Sequence, residues 1–276
     1  MLGAALVTGE AVARTAVLVA AIRADESRRD RPLFEDPFAA RLAGEAGRKM
    51  LARMVAEAGE RSTAQIVVRT RFWDEALLRA TQTVRQVVIL AAGLDARAYR
   101  LAWPPGTTVI EVDQPAVIAA KDGVLAGEQP RCHRVSLGAD LAGDWSAALT
   151  DAGLDPSAPT AWLIEGLLQY LDGDAVHRLF ARVHALSAPG SVLLYDVVSA
   201  ALLTAPEMTG LLASMEAQGS PWLFGIDAPG ELAESLGWTA TVTDVAEPGA
   251  AFGRWPDAAT GGGFFVEAHK GPNGQR

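Results

Sequence analysis

The chain has 276 residues, half of them hydrophobic, with 24 basic against 33 acidic side chains and a formal net charge of −9. That length can bury one large core, or a core with a cap, and an acidic balance without a basic stripe argues against a nucleic-acid partner. The single cysteine, Cys132, excludes an intramolecular disulfide and a cysteine-rich zinc site, and the four histidines lack metal-ligand spacing, so no metal is expected. No signal-peptide pattern opens the chain, and the apolar stretch 16–22 falls short of the roughly 20 residues a bilayer span needs, so a cytoplasmic protein without a membrane partner is expected.

Residues 1–82 predict a helical cap. Residues 11–24 are alanine-rich and amphipathic, Asp36-Pro37 sets an N-cap before a proline at the first helical position, and residues 64–80 carry Val67, Val68, Phe72, Leu77 and Leu78 at helical spacing. After Gln86 the rhythm changes to short apolar runs at 87–92, 107–112, 131–135, 161–164, 191–198, 239–245 and 263–268. The first five are separated by stretches long enough for helices, such as 114–126 and 173–186, which predicts a parallel sheet covered on both faces. A Gly/Pro-rich stretch without a clear helix joins the last two, which predicts an antiparallel pair at the sheet edge. Residues 199–225, rich in Leu, Ala and Met, fit no strand and read as a helical lid. The expected organisation is a cap at 1–82, a cofactor-binding core at 83–198, a lid at 199–228, and the rest of the core at 229–276. Seven strands ending in this way are the arrangement of Rossmann-like methyltransferases.

The chemistry is expected at the carboxyl ends of the strands. The first run ends in Ala91-Ala92-Gly93-Leu94-Asp95-Ala96-Arg97, where Gly93 lets the backbone approach a ligand. The run is not G-x-G-x-x-G, which argues against a pyrophosphate cofactor and so against a nicotinamide dehydrogenase. The second run ends in Glu111-Val112-Asp113-Gln114-Pro115. An acid about 20 residues after the glycine turn commonly accepts from ribose hydroxyls, and Asp113, at the tip, is the better candidate; the bland reading makes Asp113 or Gln114 a helix cap. Asp140 and Leu141 follow the third strand, where a carboxylate can accept from an adenine amino group while Leu packs on the ring, or serve as a loop aspartate. Glu165 leaves the fourth strand into the crevice and can hold an amine or shape the acceptor pocket, and Tyr170 nearby either lines that pocket or packs. No histidine falls at such a strand end. Asp196, ending the fifth strand, is the one candidate for a catalytic base, with a loop-capping role as the alternative.

These segments, taken in order, resemble the leucine carboxyl methyltransferase family in its bacterial branch of actinobacterial type, which includes small-molecule O-methyltransferases acting on polyketide carboxyls. The matching residues are Thr15-Ala16 through Arg23-Ala24 and Glu26, Asp36-Pro37, Arg69-Thr70-Arg71 with Asp74, Ala92-Gly93-Leu94-Asp95, and Arg97-Ala98-Tyr99-Arg100. They continue with Glu111 to Pro115, Lys121, Asp140-Leu141, Glu165-Gly166-Leu167-Leu168 with Tyr170-Leu171, and Pro189-Gly190-Ser191. The resemblance implies a class I methyltransferase fold with S-adenosylmethionine as cofactor. Gly93 would lie under it with Ala91 in the same loop, Asp113 would bind ribose with Gln114 beside it at the cofactor, Asp140 and Leu141 would hold adenine, and Glu165 would contact the methionine part. Arg69 or Arg71, with Arg23 as a further candidate, would pair with the methionine carboxylate, a bidentate match for guanidinium. Where the family has glycine this chain has Ala91, whose methyl group would narrow the cofactor loop.

The expected reaction is methyl transfer to an oxygen of a small-molecule acceptor such as a polyketide. The scarcity of bases favours a carboxylate over a hydroxyl, because a carboxylate is already ionised. A capped apolar site disfavours a protein carboxyl acceptor. A non-methylating cyclase or binding module is the alternative from another class, resting on Ala91 and the missing base.

Overall fold

The computed structural model describes residues 9–255 and 262–272. The chain opens with three helices: α1 (Gly9–Glu26), α2 (Ala39–Ala58) and α3 (Ala64–Ala80). Asp36 Oδ1 accepts from Phe38 N at 3.1 Å and Ala39 N at 3.0 Å, but α2 begins at Ala39 with Phe38 as its cap residue, so Pro37 lies in the turn before the helix rather than at its first position. There follow β1 (Gln86–Leu90), α4 (Arg97–Arg100), β2 (Thr108–Asp113), α5 (Pro115–Val124), β3 (His133–Gly138), α6 (Ser146–Asp151) and β4 (Thr160–Ile164). The remainder is α7 (Gly173–Ala185), β5 (Val192–Val198), α8 (Thr209–Ala217), α9 (Glu231–Glu234), β6 (Trp238–Asp244), α10 (Ala246–Ala251) and β7 (Gly263–Lys270).

The seven strands form one sheet in the order β3-β2-β1-β4-β5-β7-β6. The first five are parallel, and β7 runs antiparallel between β5 and β6. This is the seven-stranded Rossmann-like architecture expected. The central strands are uninterrupted apolar runs because both faces are covered: β4 and β5 are buried at every position. Alternate side chains serve opposite layers. Val87 and Ile89 join the cluster with Trp73 and Leu77 of α3, while Val88 and Leu90 join Val176, Leu179 and Phe180 of α7.

Three local expectations are corrected. The third strand starts at His133 rather than at 131, because its ladder with β2 runs from Thr108–His133 to Asp113–Gly138; as an edge strand it is only half-buried, so its apolar pattern is weak. The Gly/Pro-rich stretch before β7 contains a helix after all. Asp244 Oδ1 caps α10 through Ala246 N at 2.8 Å, and Gly249 packs where a Cβ would come within 2.7 Å of Trp255. The stretch expected to form a helical lid is helical only in part. Two 3₁₀ turns (Ala201–Thr204 and Pro206–Met208) precede α8, and residues 218–228, broken by Gly219, Pro221 and Gly225, run without helix or strand.

The end of α1 is tied to the far end of the chain. Glu26, 1 % exposed, accepts from Arg254 Nη2 at 2.8 Å and from Leu33 N at 2.8 Å, and Arg254 also donates to Arg31 O.

Candidate active site

The strand order reverses between β1 and β4, so a crevice opens above their carboxyl ends. The chain leaves β1 through Ala91, Ala92 and Gly93, and Ala92 N still donates to Val112 O of β2 at 3.0 Å. Gly93 has φ +50° and Ala91 has φ +54°; Ala91 is the one non-glycine residue among the described residues with positive φ. An alanine held there costs about 1–2 kcal/mol. The loop therefore keeps the left-handed conformation natural to glycine in spite of the methyl group, with the difference borne as backbone strain.

Asp113 ends β2 and clamps this loop. Its Oδ2 accepts from Gly93 N at 2.6 Å and its Oδ1 from Gln114 N at 2.6 Å. Burial pushes its carboxyl above the ordinary range, and the two N–H groups and the Lys121 charge oppose this only in part. Gln114 is half-buried and stands as the cap residue of α5, with Pro115 in its first turn. The ribose-binding and capping readings of Asp113 are compatible, since one carboxylate holds both the loop and the helix start.

Below and beside the loop runs a chain of buried ion pairs. Arg69 Nε donates to Glu165 Oε1 at 2.9 Å and its Nη1 to Asp196 Oδ2 at 3.2 Å. Arg97 binds the other oxygen of Glu165 at 2.7 Å, Asp74 at 2.6 Å, and Asp95. Arg100 continues to Asp74 at 2.5 Å and lies 3.8 Å from Asp36. Arg23 closes the series, with Nε on Asp36 at 2.9 Å and Nη2 on Leu94 O at 2.6 Å. Four guanidinium groups thus face five carboxylates, leaving one negative charge over. Burial pushes the carboxyl of Asp95 up, but Arg97, Lys121 and Arg100 outweigh it and hold it at about 2. Glu165 is likewise lowered: Arg97 and Arg69 overcome its desolvation. Gly166, with φ +65°, is required beside it, since a Cβ there would sit 3.1 Å from Arg69 Nη1.

A second buried cluster supports the loop from behind. Glu111, wholly buried, pairs with the Lys121 ammonium at 2.8 Å and accepts from Arg134 Nε at 2.7 Å, and Lys121 Nζ donates to Asp95 O at 3.2 Å.

The model of the leucine carboxyl methyltransferase family matches residues 16–184, a span that holds Asp113, Glu165 and the four arginines of the ion chain but not Asp196. The chain belongs to the leucine carboxyl methyltransferase family. Among its relatives is a Mycobacteroides abscessus protein, 42 % identical over 271 residues, which cover 88 % of this chain and 86 % of that one. A Mycobacterium avium protein is 47 % identical over 203 residues, 68 % of this chain and 67 % of that one. Both carry the name S-adenosyl-L-methionine-dependent methyltransferase. Solved structures of a protein described as a methyltransferase from Thermobifida fusca (TM-score 0.66, 17 % identity, 93 % of this chain and 94 % of that one) and of a DUF574 family protein from Streptomyces avermitilis (TM-score 0.65, 18 % identity, 93 % and 97 %) share the fold.

This methyltransferase places the other expected residues unevenly. Arg71 is not in the crevice. Two residues along a helix turn a side chain by about 200°, so while Arg69 faces the strand ends, Arg71 donates to Leu33 O at 2.7 Å and pairs with Glu75 at 2.6 Å, half-exposed. Arg23 reaches the loop carbonyl of Leu94, which makes it a holder of the loop. Asp140 is exposed beyond β3, its Oδ1 accepting from Ala142 N at 3.0 Å, and Leu141 packs half-buried beside it. Tyr170 is half-buried at the end of a 3₁₀ turn (Leu168–Tyr170). Asp196 is brought to the cluster; burial pushes its carboxyl up, against Arg69 and the 2.8 Å bond from Gly166 N.

S-adenosylmethionine, expected from the resemblance, fits these residues. Its sulfonium gives it a net positive charge, matched by the surplus carboxylate. Asp113 keeps lone pairs for ribose hydroxyls, and Nη2 of Arg69 has no protein acceptor among the described residues. Asp74, Asp95, Arg97 and Arg100, to which the sequence reading assigned no role, form the center of the ion chain. The signal was present in Asp95-Ala96-Arg97-Ala98-Tyr99-Arg100, charged residues interleaved with apolar ones that all bury.

Proposed function

We propose that this protein transfers a methyl group to a carboxylate oxygen of a small-molecule acceptor. Its cofactor is S-adenosylmethionine, which when bound supplies an electrophilic methyl group: the acceptor oxygen forms the new C–O bond, the C–S bond breaks, and its electron pair stays on sulfur. Arg69 would hold the methionine carboxylate through Nη2, Asp113 the ribose, and Glu165 the ammonium, with Asp140 and Leu141 flanking the adenine side. The protein's own work is to orient these groups and keep water out.

The observation that carries the carboxylate reading is where the histidines lie. His133 starts β3 and is exposed, His177 is exposed on α7, His184 bonds Trp238 Nε1 at 3.0 Å, and His269 pairs with Val192 at the opposite end of the sheet. A carboxylate acceptor loses no proton on methylation, so none of them is needed. A hydroxyl acceptor is the second reading, favoured by Asp196, whose raised carboxyl could take the proton. The lid, residues 199–228, would cover the acceptor and disfavours a polypeptide end.

The test offers purified enzyme and S-adenosylmethionine with paired free acids, alcohols and a peptide carboxyl end, and reads products by mass. Methyl esters formed equally by Asp196→Asn support the carboxylate reading. Ethers that vanish in Asp196→Asn replace it with the hydroxyl reading, and no methylated product from any class overturns both.

A further inference from the structure

The acceptor side holds two buried polar atoms that the protein leaves without partners, and they lie on segments bonded to each other. Gln169 is 7 % exposed. Its Nε2 donates to Gly166 O at 3.4 Å, which leaves Oε1 as the unpaired atom. Gly166 is the residue that gives its N–H to Asp196 and lies against the guanidinium of Arg69. The carboxamide therefore borders the reacting end of the crevice. Across from it, Trp222 of the lid is half-buried, and its Nε1–H is sealed and unpaired. The segment is pinned there by Leu223 N donating to Gln169 O at 2.6 Å and Ile226 N to Val198 O at 3.0 Å.

Buried polar atoms without partners are costly and call for explanation. Trp73, Trp145 and Trp162 also have unpaired Nε1 atoms, but their indoles are fully enclosed in the helix–sheet core. Trp222 and Gln169 instead lie on segments joined through Leu223 N and Gln169 O, one offering a donor and the other an acceptor. Apolar surface is available on the same stretch of chain: Leu223, next to Trp222, is 49 % exposed, Leu211 is 47 % exposed, and α8 has no buried residue.

We propose that Gln169 and Trp222 recognise the methyl acceptor, and that it is an apolar-bodied carboxylic acid carrying a hydroxyl or amine near its carboxylate. The indole N–H donates to an acid oxygen, Gln169 Oε1 accepts from the hydroxyl or amine, and the apolar body lies along Leu223 and α8. This rests on the methylation reading above and adds the acceptor class to it. A site built to bond a hydroxyl rejects the analogue without one, because its own polar atom is then left bare.

The test uses the full chain saturated with S-adenosylhomocysteine, with decanoic acid and 3-hydroxydecanoic acid as probes. The indole N–H resonance that disappears in Trp222→Phe should move downfield when the hydroxy acid is added. With S-adenosylmethionine, the wild type should favour the hydroxy acid at least ~10-fold in kcat/KM, and Gln169→Leu should bring the two acids to near parity. That ratio is read within one sample, so a partly unfolded variant does not distort it. If S-adenosylhomocysteine does not bind, the methylation reading itself falls. If it binds but neither acid moves the Trp222 resonance, neither is methylated, or Gln169→Leu keeps the preference, the acceptor proposal falls and the methylation reading stands.

Discussion

The two sides of the crevice are built by opposite means. On the donor side, Asp113, Glu165 and the arginines are locked by bonds from several elements, and nearly every charge has a counter-charge within 3.2 Å. On the side proposed for the acceptor, α8 buries nothing, residues 218–228 are held by a few backbone bonds, and Gln169 Oε1 and Trp222 Nε1 stay unpaired. A cofactor that never changes rewards a preorganised cradle. An acceptor site gains from leaving its recognition atoms bare until the right molecule arrives. The contrast predicts that substitutions on the donor side cost stability and cofactor binding together, while those on the lid cost neither.

The hardest blow should come from Arg97→Leu, which strands Asp74, Asp95 and Glu165 without their shared partner. Removing one member of a buried pair costs about 3–5 kcal/mol, to be read by urea unfolding; a loss under about 1 kcal/mol would mean that the ion chain is not what holds the donor side. Asp113→Ala should come next. It frees the Gly93 N–H and weakens titrated S-adenosylhomocysteine by ten- to a hundredfold, about 1.4–2.8 kcal/mol, and unchanged affinity would remove Asp113 from the ribose role.

Acid sharpens the same comparison. Asp95 ionises at about 2 in the folded protein against 3.8 as its ordinary value, so its share of stability, about 2 kcal/mol by linkage, is present above pH ~4 and is lost as pH falls towards 2. Thermal unfolding should drop through that window, and Asp95→Asn should flatten the drop. Ala91→Gly relieves the strained loop at the expense of a more flexible unfolded chain; a net gain of up to about 1 kcal/mol is expected, with S-adenosylhomocysteine bound at least as tightly. Leu211→Ser on α8 should be smallest, within about 0.5 kcal/mol of the parent. A larger loss would show that the lid helix is integral to the fold.

The sequence made the sheet legible because the central strands are wholly buried runs, such as Val192 to Val198, whose composition admits little else. It misled where local composition and tertiary context disagree. Ala246–Ala251 contains a proline and a glycine and reads as a loop, yet Asp244 and Trp255 make it a helix. The strand-end residues Asp113, Glu165 and Asp196 could be anticipated because position on the sheet dictates that they meet the crevice. The ion chain could not, since its pairings are non-local: Arg97 and Glu165 are 68 residues apart, and Arg69 and Asp196 are 127 apart. Arg69 and Arg71 look alike in sequence and are separated only by helical phase.

Glu26 bears on how firmly the first helix is held. Its buried carboxylate fastens the end of α1 to Arg254. Breaking such a pair costs several kcal/mol, so a swing of α1 away from the sheet would occupy well under one hundredth of the molecule's time. The first helix and the segment around Arg254 are thereby held as one piece.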